Sequence, residues 1–142
     1  MKVFRVILHS FILSMVNIIS ILFGFGVYHF FRDYNQLSIQ VPVGAVFSII
    51  VFTSWVVILK YKGVSWLLLE SRLEPLLILL LSLAWLPVIF IPLHYLTQGY
   101  LTTFGNIYVH WIFQIPVNLI IVIIFYFIMF TGSTRNKETN SV

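Results

Sequence analysis

The chain contains no cysteine among its 142 residues. Disulfides, thiolate metal centres and cysteine nucleophiles are therefore excluded, and the redox compartment stays open. Charge is also scarce. Only 8% of residues are Asp, Glu, Lys or Arg, against 61% hydrophobic, where a soluble domain carries about 25% charged. A water-facing surface cannot be assembled from so few charges, so most of this chain must face lipid. Acids are the scarcest of all: Asp33, Glu70, Glu74 and Glu138 are the full set. Each is read at or beyond the edge of an apolar run. Proton-coupled transporters generally keep a carboxylate in the pathway, and its absence at depth argues against that chemistry. The net charge of +4 comes from short flanks and loops. It suits an anionic membrane surface better than nucleic acid, and no nucleic-acid partner is expected.

What the sequence does hold is long apolar runs. A membrane span needs about 20 apolar residues. Four runs qualify, over about residues 6–31, 39–59, 75–96 and 106–130. The first follows Met1-Lys2-Val3-Phe4-Arg5 and far exceeds the roughly 7–15 apolar residues of a secretory signal, so it is expected to be retained as a span. No charge occurs between Glu74 and Arg135, a stretch about twice one crossing. The turn residues Thr97-Gln98-Gly99 near its middle divide it in two. The expected fold is an all-α membrane protein: a four-helix transmembrane bundle running up-down-up-down. Residues 1–131 form one domain, and 132–142 a polar, disordered cytoplasmic tail. The loop over residues 63–74 mixes apolar and charged side chains, which predicts a short interfacial helix between the second and third spans.

Cytoplasmic loops are enriched in Lys and Arg. With four spans, Lys2, Arg5, Lys60, Lys62, Arg72, Arg135 and Lys137 fall on one side, and only Arg32 on the other. Both termini are therefore expected in the cytoplasm, in a multi-pass protein of the cell membrane. Odd span counts would scatter these cations over both faces.

The polar groups inside the runs are the candidate functional residues. Ser10, Ser14, Asn17, Ser20 and Gly24 lie at helical spacing on one face of the first run. Such a face packs closely against a neighbouring helix, or lines a path. Gly44 and Ser48 are the expected partner face on the second run. Gln114 and Asn118 flank Pro116 in the fourth. A substrate path would use Ser14, Asn17, Gln114 and Asn118. His29, His94 and His110 fall near the outer ends of three runs, where imidazoles from separate helices could ligate a metal or haem. No short ligand spacing supports that site, and no cofactor is expected. Aromatic residues gather at both ends of the runs, as an interfacial belt does.

No catalytic or nucleotide motif stands out, so the expected function is non-enzymatic: an accessory or interaction subunit, with the bilayer and other membrane subunits or a second copy as partners. The alternatives are a small oligomeric transporter or lipid flippase without an intramembrane carboxylate, and a haem- or metal-binding membrane protein.

Overall fold

A computed structural model of the chain describes residues 2–31, 34–101 and 104–130. The tail over 132–142 lies outside these residues. Among them the fold is all-helical, with four α-helices and no strand: α1 (Lys2–Tyr28), α2 (Gln36–Tyr61), α3 (Glu74–Gln98) and α4 (Phe104–Phe130). Among the described residues three are long and apolar enough to cross a membrane, over Val3–Tyr28, Gln36–Lys62 and Glu74–Gln98.

Local chemistry sets the helix ends. Before α2, the Asn35 side chain accepts from Leu37 N–H at 3.0 Å, satisfying one of the donors a helix leaves unpaired at its start. At α3, Pro75 occupies the first turn, where its missing N–H costs nothing. α3 ends at Gly99 in the left-handed region (φ 76°), with Gly99 N–H bonded to Tyr95 O at 2.9 Å. Only glycine adopts that conformation without a steric cost. The uncharged turn between the third and fourth runs is thus a helix stop.

Two expectations are revised. α1 starts at Lys2 and ends at Tyr28, shifted towards the N-terminus from the expected 6–31, because residues 29–31 leave the helix through short i−3 hydrogen bonds such as Phe31 N–H to Tyr28 O at 2.9 Å. The segment between α2 and α3 makes only a single 3-10 turn, Ser65–Leu67, in place of a short amphipathic helix. Leu67 and Leu69 are buried beneath it, while Trp66 is half exposed and stacks on Phe4.

α1 packs against α2 and α3, and α4 packs against the same two. Arg5 meets Glu74, so the starts of α1 and α3 coincide. Lys60 donates to the Ile128 carbonyl, so the ends of α2 and α4 coincide at that same end of the molecule. The apolar core centres on Leu13, Phe52, Val56, Ile78, Ile121 and Phe125, all within 1% of full burial. Large apolar side chains such as Leu22, Ile50, Leu80, Val88 and Phe127 cover the outside.

Candidate functional site

The predicted polar face of α1 is buried along its whole length: Ser10, Ser14, Asn17, Ser20 and Gly24 all lie inside. Gly44 and Ser48 of α2 oppose it and are buried too. The polar side chains of this face bond across to the other helices.

Asn17 stands at the centre. Its Nδ2 donates to Asn118 Oδ1 at 2.7 Å, and its Oδ1 accepts from Ser48 Oγ at 3.3 Å. Asn118 Nδ2 donates to Ser82 Oγ at 3.3 Å, and Ser14 Oγ donates to the Ser82 carbonyl at 2.7 Å. Ser20 closes the group through a short bond to Ser48. One connected network thus touches all four helices, with Asn17, Asn118, Ser20 and Ser48 each within 2% of full burial. Burying an amide or hydroxyl without a partner costs a few kcal/mol, so a network this complete fixes the register of the helices. Each extra bond of this kind is worth about 0.6–1.7 kcal/mol between membrane helices. A double-mutant cycle on Asn17→Leu and Asn118→Leu should therefore return a coupling energy of about 1 kcal/mol. A cycle that closes to zero in detergent unfolding would remove the Asn17–Asn118 bond from the account.

Gln114 stands apart. It is 8% exposed, and its buried Oε1 has no hydrogen-bond partner among the described residues. It lines a half-enclosed cleft of about 50 Å³ between α1, α2 and α4, together with Ser20, Gln40 and Ser48. Of the four proposed path residues, Asn17 and Asn118 bond directly and Ser14 joins through Ser82; Gln114 borders the network without a described bond to it.

A second polar cluster lies at the end where α1 and α3 start. Arg5 is 2% exposed. Its Nε donates to Glu74 Oε1 at 3.2 Å, its Nη2 bonds the same oxygen, and its Nη1 donates to Glu70 at 2.8 Å. Glu74 Oε2 accepts from the backbone N–H of Glu70 at 2.9 Å and of Ser71 at 3.4 Å. One turn along α1, His9 is fully buried. Its Nε2 faces the Leu67 carbonyl at 2.9 Å and its Nδ1 accepts from Trp55 Nε1 at 3.4 Å. A carbonyl can only accept, so the proton sits on Nε2. These contacts tie the segment between α2 and α3 down onto α1. The sequence reading placed Arg5 and Glu74 at the membrane edge as flanking charges; the structure buries both as a pair. The signal for it is faint: an arginine and a Glu-Pro pair at the starts of two helices that the topology makes parallel.

His29 and His94 have separate surroundings. The His29 ring packs edge-on against Phe25. His94 Nδ1 lies 3.1 Å from the Tyr100 carbonyl, with its ring edge-on to Tyr100. The side chain of His110 lies outside the described residues. Among the described residues no three His, Cys, Asp or Glu side chains are grouped to hold a metal ion.

Comparison with known proteins gives no match to a family model, a curated protein or a solved structure.

Proposed function

We propose that this chain is a multi-pass integral membrane protein of the cell membrane. It would be a four-helix transmembrane bundle, up-down-up-down, with both termini cytoplasmic, and it would serve as a non-enzymatic interaction subunit. The observation that carries this reading is the closed network around Asn17. Its deep polar groups are used up in joining the four helices to one another. A transport path needs polar groups free to meet a solute. What remains for a partner is the apolar exterior, which in a bilayer is shared between lipid and neighbouring helices.

The topology gains support from where the cations fall. Arg5 and Lys60 lie at the same end of the molecule, with the segment carrying Lys62 and Arg72 beside them. Cytoplasmic ends are rich in such residues. Reporter fusions should place Gln98 outside and the C-terminus inside; a cytoplasmic Gln98 would overturn the arrangement. The subunit reading is checked by purifying the tagged full chain in mild detergent. Other membrane proteins at fixed stoichiometry, or a stable homo-oligomer, are expected. A strictly monomeric chain that travels alone counts against it.

A small oligomeric transporter or lipid flippase is the second reading. It is favoured by one feature, the cleft lined by Gln114.

A further inference from the structure

We infer that the groove between the start of α3 and the end of α4 binds an anionic phospholipid, its acyl chain along the groove and its phosphate on Arg72. The groove arises from helical spacing. On one wall Pro75, Leu76 and Leu79 recur three and four residues apart, and Val122, Ile123 and Tyr126 do so on the other. Pro75 and Val122 are buried beneath it, while Leu76 and Ile123 are exposed on its rims. Arg72 continues the first series backwards, off the start of α3, and lines one end of the groove. Its side chain is exposed. Among the described residues Arg72 makes no ion pair, whereas Glu70 and Glu74 are both held by Arg5.

A free cation at the end of an apolar trough fits an amphiphile with a negative head. A guanidinium grips phosphate oxygens in pairs, which an ammonium cannot do. Arg72 lies at the end of the molecule that also carries Arg5 and Lys60. Basic pockets between membrane helices on the cytoplasmic side hold anionic heads in this way. The length agrees. From Leu119 to Phe127 the lining runs about 12 Å along α4, within the roughly 15 Å of hydrocarbon in one leaflet. Tyr126 adds an aromatic ring of the kind that gathers at headgroup depth. A second copy of the chain fits less well. It would cover the apolar walls, but its described acids, Glu70 and Glu74, already bond its own Arg5, so Arg72 would stay unmatched. The inference rests on the membrane reading above, with this end at the bilayer surface.

The probe is phosphatidylglycerol with a photoactivatable diazirine on its acyl chain, added to the purified full-length protein in mild detergent. Label is expected on residues 76–79 of α3 and 119–127 of α4. Unlabelled phosphatidylglycerol should compete about fivefold better than phosphatidylcholine with the same chains, the effect of one cation beside an anionic head. Arg72→Gln should erase that preference without loss of fold, since the side chain is exposed, and Arg72→Lys should keep most of it. Lys62→Gln removes an exposed cation that does not line the groove and should change nothing. Leu79→Trp fills the groove, keeps Arg72 and should lower labelling by either lipid. Equal competition by the two lipids overturns the inference, as does an unchanged preference in Arg72→Gln. An equal loss in Lys62→Gln overturns it too, leaving only general attraction to an anionic surface. Label spread evenly over the apolar exterior, or a groove closed by a second copy in a stable dimer, has the same consequence. Labelling in detergent does not depend on which way the chain is inserted. A negative result with Gln98 outside therefore removes this site alone, while a cytoplasmic Gln98 overturns the topology and leaves the labelling result standing.

Discussion

Replacing Arg5 by leucine should be among the most damaging single changes in this protein, lowering its unfolding free energy by about 3 kcal/mol. The reason lies in what is left behind. Glu74 is 7% exposed at its side chain and shares Oε1 with two nitrogens of Arg5. Without the guanidinium, a buried carboxylate keeps only the backbone N–H groups of Glu70 and Ser71. Breaking one half of a buried pair costs more than the pair was worth, because the surviving charge is desolvated and unmatched. Two comparisons isolate this cause. Glu70 also meets Arg5, but its side chain is 59% exposed, and an exposed ion pair contributes about 1 kcal/mol or less. Glu70→Ala should therefore do little. Arg5→Leu combined with Glu74→Leu should recover most of the loss, since removing both charges removes the mismatch. Unfolding in mixed detergent–SDS micelles gives all three numbers. If Arg5→Leu and Glu70→Ala cost the same, the buried pair is not the source.

The same change has a local readout. Glu74 Oε2 holds the backbone of residues 70 and 71, and Arg5 holds Glu74. Arg72 is exposed on that segment, so tryptic cleavage after Arg72 should be faster in Arg5→Leu than in the parent protein. Equal cleavage rates would mean that the segment is held by other contacts, such as Leu67 and Leu69 in the core.

How far the sequence foretold these features depends on the range of the interaction. Which residues of α1 share a face follows from the helical period alone, so the buried row from Ser10 to Gly24 was legible. So were the helix stop at Gly99 and the start at Pro75, because capping chemistry is local. What that row bonds to was not legible. Its partners are Asn118, 101 residues away from Asn17, and Ser82, which nothing in its own helix marks as special. Arg5 failed for a related reason. A charge near the end of an apolar run reads as a flank, and only the fold-back of residues 65–74 over the start of α1 turns it into a buried group. The loop itself was misjudged because its apolar residues, Leu67 and Leu69, point into the protein and not into a membrane interface. The cleft was invisible for the opposite reason: a vacancy is a property of three helices together.

The second large effect concerns the closest approach of α1 and α2, and its sign should reverse within two residues. A β-carbon built on Gly24 would strike the Gln40 carbonyl group, with the Gln40 Cα also only 3.2 Å away. These are backbone atoms of a packed helix and cannot swing aside as a side chain would. Gly24→Ala must therefore push the two helices apart, at a cost of about 1–3 kcal/mol for overpacking. Gly26 lies on the same helix with nothing within 4 Å of the equivalent position. There the added methyl meets no neighbour, and alanine favours a helix over glycine by about 1 kcal/mol. Gly26→Ala should be neutral or stabilising. Gly44 gives a graded case, since its β-carbon would lie 3.0 Å from the Ser20 carbonyl, and Gly44→Ala should fall between the two. Separation at Gly24 also acts on the polar network. Gln40 Nε2 reaches the Ile21 carbonyl at 3.2 Å, and Ser20 meets Ser48 two turns along the same seam. Forcing the seam open stretches both bonds, so Gly24→Ala and Ser48→Ala should be less than additive. Detergent unfolding of the glycine variants decides the matter. Equal effects at Gly24 and Gly26 would mean that helix propensity, and not the close contact with Gln40, governs this face.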